Sequence, residues 1–336
     1  MNQSTLQEIN NGIEDVINTS FTFDVNCLNV PHYDDSGLTF EGGQTKKGKI
    51  IETCVLFVDI RNSVALNQKY SKEIMGKIYT SFVKSALWCA DYHNGSVRNI
   101  IGDRVMIVFP PKDCYTNAVN CAISINTIVL KIIKRFYSDF KCGIGIDYGT
   151  MYVHKTGIIK QGSDASSYKN LIWIGRPANI ASRLTDVANK ETETTIYSVK
   201  RNPLNPKAFR PKVHGIGLFP ILGQFEPVPG QPIYLGTIET VDLSPEEFAC
   251  SISQLASGEI FTKDGNMLSF EKKEIKNSNK PILMTKSVYD GYARTNPTVD
   301  SVKKKYWNEI DLKIKDYTGK IYGGNVYWSI INNITF

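Results

Sequence analysis

The chain has 336 residues, 42% of them apolar, which is enough to bury a substantial core and predicts two domains. Its formal net charge of +6 is gathered late, with 13 Lys/Arg against 8 Asp/Glu from Ile260 onward, but no reader motif accompanies that surplus and a nucleic-acid partner is not expected. No uninterrupted apolar run reaches the roughly 18–20 residues of a membrane span, the polar N-terminus resembles neither a signal nor a transit peptide, and seven scattered cysteines without a CxxC pair argue against a disulfide framework or zinc site. A cytoplasmic protein with no membrane partner is the expectation.

Residues 1–48 read as an amphipathic helix carrying Leu6, Ile9, Ile13, Val16 and Ile17, then an irregular lead-in. Residues 55–58 are a short apolar run of the kind that forms a buried strand, with Asp59 at its mouth and Arg61-Asn62 in the turn beyond. A helical pattern covers 63–92, apolar at Ile74, Ile78, Phe82 and Leu87 among others, and Asn94-Gly95 stops it. Strands follow at about 97–101 and 104–109, with Gly102-Asp103 as the corner and Pro110-Pro111 closing the second. Asp113 is placed to cap a second helix running to about Phe136. Residues 142–149 and 151–159 read as a strand pair. The glycines there let another element approach the backbone; no helix opens after them, which excludes a dinucleotide-binding loop.

Beyond a polar loop at 160–170, a strand at 171–174 runs into Gly175-Arg176-Pro177, and Pro177 opens a helix over 178–189. Its buried stripe is Ile180, Leu184 and Val187, which puts Asn179 and Arg183 one turn apart on another face. Strands near 194–198, 213–219 and 232–238 are expected to close the first domain, 49–242. Residues 243–281 read as a linker, its lysine- and asparagine-rich part from 262 as a mobile loop. Residues 282–336, rich in Tyr and Trp with a turn at Gly323-Gly324, read as a smaller β-rich, sensor-like domain. The order β-α-β-β-α-β with further strands predicts an α+β fold, a ferredoxin-like core whose mostly antiparallel sheet is flanked by helices.

If the strands before Asp59 and after Asp103 are neighbours, two carboxylates project into one cleft beside turn backbone. That is a hard-cation site, suited to Mg2+ or Mn2+ carrying a polyphosphate. Asn179 and Arg183, an amide and a guanidinium on one face, make a clamp suited to a sugar and a phosphate.

Three stretches in this order, VLFVDIRNSVAL, NIIGDRVMIVF and IWIGRPANIASRL, resemble the class III nucleotidyl cyclase catalytic domain. The resemblance implies that Asp59 and Asp103 hold two divalent ions, with the Ile60 carbonyl as a further ligand. It implies that the turn of Arg61, Asn62 and Ser63 presents amides to the triphosphate, that Asn179 orients the ribose, and that Arg183 stabilises charge on the α-phosphate. The reaction implied is attack of the ribose 3′-hydroxyl on the α-phosphorus with release of pyrophosphate. The metal pair and the Asn/Arg pair would meet across a head-to-tail homodimer with two composite sites.

The chain departs from the family where purines are read. Purine cyclases carry Lys or Glu three residues before the Gly-Asp corner, where this chain has Asn99, and Asp, Thr or Cys seven residues before the helix Asn, where it has Ile172. The family's transition-state lysine, expected near the domain's end, is replaced by Leu222, leaving Arg61 or Arg104 as substitutes. This pattern is similar to the bacterial pyrimidine cyclases of anti-phage (Pycsar) signalling, which implies conversion of CTP or UTP to a cyclic monophosphate read by a separate effector. The Asn99 amide both donates and accepts and suits either base. An adenylate or relaxed-specificity cyclase, and a non-catalytic nucleotide sensor, are the alternatives.

Overall fold

The structure, a computed structural model, describes residues 1–160, 163–164, 168–211, 225–254 and 260–334. It comprises two units: Met1–Lys190 with Asn279–Phe336, and Glu191–Ser278, which interrupts the first in sequence.

The first unit is built on one sheet with strands β1 (Phe21–Asp24), β2 (Lys46–Ile60), β3 (Ser96–Ile101), β4 (Arg104–Val108), β5 (Cys142–Thr156), β6 (Asn170–Ile174), β7 (Ile282–Thr285), β8 (Asn308–Ile310) and β9 (Ile321–Gly324). Their order is β8-β9-β7-β5-β2-β4-β3, with β1 beside β2 and β6 beside β5. Only the β1–β2 and β5–β7 pairs are parallel. The segment β5-β2-β4-β3, antiparallel throughout, is the expected ferredoxin-like core.

Its helices of seven or more residues are α1 (Gln3–Asn18), α2 (Ser63–Lys69), α3 (Lys72–Tyr92), α4 (Cys114–Ile128), α5 (Arg176–Val187) and α6 (Lys286–Thr295). Alternation along β2 sets the layers. Cys54, Leu56, Val58 and Ile60 pack in the core that holds Phe82 of α3 and Ala122 of α4, while Ile51 and Val55 join Met151, Val153 and Ala181 of α5 on the opposite face. A strand covered on both faces needs apolar residues at nearly every position, which is why 55–58 reads as a continuous run.

Several elements differ from expectation. The helix foreseen over 63–92 is two, because the Ser71 hydroxyl accepts from the Ile74 amide at 3.3 Å and caps a fresh start. Asp113 stands at the N-cap of α4 with φ 59° and makes no side-chain cap, so its backbone turn rather than its carboxylate opens the helix. The helical stretch Cys114–Phe136 is long and apolar enough to cross a membrane by length and composition, but 56% of its most apolar window is buried inside the protein, as befits a core helix. Residues 142–156 form one strand rather than a pair, since β2 pairs with it without a break from Cys142 to Val153. The apolar residues of α1, from Leu6 to Ile17, are exposed; Asp15 ties the helix down through Lys46 Nζ at 2.7 Å and the Gly43 amide at 2.6 Å.

The second unit corrects the expected domain borders. The strand Glu191–Pro203 pairs with Gly265–Ser278 along its length, and Glu239–Leu243 flanks it on the other side. Residues 265–278, read as part of a mobile linker, are therefore a strand whose charges pair across the ribbon, as Lys276 does with Glu193 at 3.1 Å. The strand expected at 213–219 lies outside the described residues. At 232–238 there is only an isolated bridge between Leu204 and Tyr234. Residues 282–324 are not a separate domain: Ile282, Leu283 and Met284 are fully buried between β5 and β9 and complete the main sheet.

Candidate active site

The β2–β4 register sets Val58 opposite Val105, so one step along the ladder brings Asp59 to Arg104, with Asp103 in the corner beside Gly102 at φ 62°. Asp59 is only 15% exposed. Its Oδ2 accepts from Arg104 Nη2 at 2.7 Å, Arg104 Nε at 3.3 Å and Arg61 Nη2 at 3.3 Å. Burial, and after it the charge of Asp59, pushes the Asp103 carboxyl above its ordinary value of 3.8. The two aspartates thus share one cleft.

Two groups on α5, which the motif reading passed over, close the cluster. Arg104 Nη1 donates to Ser182 Oγ at 2.9 Å, and Nη2 also bonds the Asp186 carboxylate. Arg61 Nη1 donates to the Asp186 carbonyl at 3.1 Å. The available signal was the spacing: Ser182 and Asp186 are i, i+4 on the polar side of the helix that carries Asn179 and Arg183. Helix α5 can come this close because β5 is glycine-lined; a Cβ at Gly145 would strike the Ala181 carbonyl, and one at Gly143 the Ala188 carbonyl. Thr185 Oγ1 pins it by donating to the Phe57 carbonyl at 3.1 Å.

The turn after Asp59 has Asn62 in the left-handed region at φ 56°, with Ser63 opening α2. The Arg61 amide donates to the Lys141 carbonyl at 2.8 Å, so it is committed to the fold and not to a triphosphate as expected. As for a cation, two neighbouring anionic oxygen groups, one of them destabilised by the other's charge, suit a divalent ion that prefers oxygen. Among the described residues no three His, Cys, Asp or Glu side chains are placed to hold one metal ion together, so a cation on this pair would draw further ligands from backbone such as the Ile60 carbonyl, or from a bound phosphate.

Asn179 is exposed on α5, and Arg183 turns away from Asp59: its Nη1 bonds the Lys315 carbonyl at 2.5 Å and Asp316 Oδ2 at 2.6 Å. Those acceptors lie in the loop between β8 and β9. The position of Leu222 lies outside the described residues and within the interrupting segment, whereas the sheet ends at 308–324. Asn99 is exposed on edge strand β3, opposite Met106 and just past a bulge at Val97. Ile172, exposed on β6 opposite His154, lines a pocket of about 300 Å³ with Val16, Phe21 and Phe40. Three strands, β4, β2 and β5, separate Asn99 from Ile172 in the sheet order.

A family model of the adenylate and guanylate cyclase catalytic domain matches residues 46–209, ending inside the second unit, with β7 to β9 beyond it. The chain is 34% identical over 148 residues to a uridylate cyclase of Burkholderia cepacia, covering 42% of this chain and 62% of that protein. It is 30% identical over 175 residues to a uridylate cyclase of Xanthomonas perforans, covering 50% and 71%. With a cytidylate cyclase of Staphylococcus aureus it shares 31% identity over 106 residues, covering 29% and 25%. The match thus spans a little under two thirds of the Burkholderia protein.

Proposed function

Because the chain belongs to the adenylate and guanylate cyclase catalytic-domain family, we propose that it is a pyrimidine nucleotidyl cyclase making 3′,5′-cyclic UMP or cyclic CMP and pyrophosphate. The observation that carries this is a contrast within the site. The aspartate pair and the Asn/Arg helix are intact, while the position of a purine reader holds Ile172, an exposed hydrocarbon that cannot supply the hydrogen bond a purine edge requires. The relatives named uridylate cyclase favour UTP; the one named cytidylate cyclase supports CTP as the second reading.

In the reaction the ribose 3′-oxygen bonds to the α-phosphorus, the bond to the pyrophosphate oxygen breaks, and the hydroxyl proton passes to solvent. When bound, two Mg2+ or Mn2+ ions on Asp59, Asp103 and the Ile60 carbonyl supply the charge that acidifies the hydroxyl and neutralises the β- and γ-phosphates. Asn179 orients the ribose, and Arg183 meets the charge gathering on the α-phosphate. Asn62 and Ser63 offer the triphosphate a turn of backbone. Since Arg183 reaches Lys315 and Asp316 rather than Asp59, the full constellation is proposed to form between two copies, as a homodimer with two composite sites. The product is proposed to be a messenger of anti-phage defence, read by a separate effector.

The test offers the purified protein ATP, GTP, CTP and UTP in parallel with Mn2+, with Asp59→Ala as the blank. Cyclic UMP or cyclic CMP is expected, falling at least about 10²–10³-fold in the variant. A dominant cyclic AMP product overturns the pyrimidine reading.

A further inference from the structure

Arg104 is held by three groups at once: Asp59 Oδ2, the Asp186 carboxylate and the Ser182 hydroxyl. A divalent ion on Asp59 competes with this guanidinium for the same oxygen, because two cations on one carboxylate oxygen repel. Arg61, the other guanidinium on that oxygen, finds among the described residues only a neutral alternative, the Asp186 carbonyl. Arg104 has a complete one, an anionic and a hydroxyl acceptor already in place on α5. The exchange needs no long excursion, since both partners are bonded in the same conformation, and Asp186 is half exposed where Asp59 is nearly buried.

We propose that Asp186 is a positioning residue that takes over Arg104 when Asp59 binds its metal. The guanidinium serves as counter-ion of the metal-free cleft and then waits on α5 at the cleft's rim, instead of contesting the ligand. This rests on the reading of Asp59 as a metal ligand.

The test titrates the full chain with Mn2+ alone, without nucleotide, reading free Mn2+ by electron paramagnetic resonance. Arg104→Gln removes the competitor and tightens binding about fivefold; Asp186→Asn removes the alternative acceptor, leaves Arg104 on Asp59 and weakens binding by a similar factor. The double variant decides between partner exchange and plain electrostatics. With exchange, Asp186 has nothing left to hold and the double variant matches Arg104→Gln. If the two changes merely add, its affinity returns to that of the parent and the proposal fails. Asp186→Asn alters a half-exposed position, so an unchanged affinity in that variant alone also overturns it, whether or not the Arg104 variants fold. Asp59→Asn is the control: loss of Mn2+ binding there with no shift in Asp186→Asn sinks only the exchange, whereas retained binding sinks the metal reading as well.

Discussion

Asp103 sits where a carboxylate is disfavoured, partly buried and facing Asp59, and its raised pKa makes the cleft's readiness for a cation costly to the empty protein. The sign follows from linkage. Below its unfolded value of about 3.8 the group is protonated in both states and costs nothing; as pH rises through the higher folded value, the folded state alone resists losing the proton and stability falls. Asp103→Asn is therefore expected to melt higher than the parent at pH 7 without metal, with the gap closing as the pH drops toward the carboxylate range. Mn2+ should raise the melting point of the parent and not of the variant. A variant less stable than the parent at neutral pH would contradict this account. At this scale the sequence was informative about groups next to turns, since Asp59 and Asp103 are tied to backbone corners. Ser182 and Asp186 escaped because their meeting with Arg104 depends on how α5 lies across β2, which no local pattern encodes.

Among the elements, α5 depends most on a single contact. Gly145 brings the β5 backbone against Ala181 and Thr185, and any side chain there must lift the helix that carries Asn179, Ser182, Arg183 and Asp186. Gly145→Ala is expected to cost about 1–3 kcal/mol by denaturant unfolding and, well below its melting point, to lower turnover further than Ala at exposed Gly76, which has open space around it. Equal turnover in the two variants would mean that the seat of α5 is not critical. Helices and strands with one buried stripe were legible: α5 began and ended within about two residues of expectation, and β4 likewise. Residues 265–278 were not, because nearly all of them are exposed in a ribbon open to solvent, and a strand without a buried face carries no alternation to read. The second half of β5 was misjudged for the opposite reason: Gly149-Thr150 looks like a turn until β2 is there to pair with it.

The placement of the two halves of the site in one chain has a consequence for the assembly. If each site draws its aspartates from one copy and Arg183 from another, Asp59→Asn and Arg183→Ala proteins, each inactive alone, are expected to regain activity when mixed, because a mixed dimer holds one intact site. Continued inactivity on mixing would confine the site to a single chain. The domain plan was the least legible level. The first unit breaks off at Lys190 and resumes at Asn279, with the Asn279 amide donating to the Lys190 carbonyl at 3.1 Å, and composition offers no sign that two such distant residues are neighbours.

That interruption also sets a timetable on the ribosome. When β5 has emerged, the strand that will cover its edge has still to be made, behind everything from Glu191 to Ser278, several seconds of synthesis at about 5–20 residues per second. Through that interval Ile144 and Ile146, fully buried in the finished molecule beside Ile282 and Met284, stand at an open sheet edge of the nascent chain. Helix α4 waits as well, since Val288 and Tyr292, which share its core, arrive later still. The sheet is thus closed by a strand made well after those it joins, and a transcript cut short before Thr285 yields a sheet that carries Asp59 and Asp103 and keeps one raw edge.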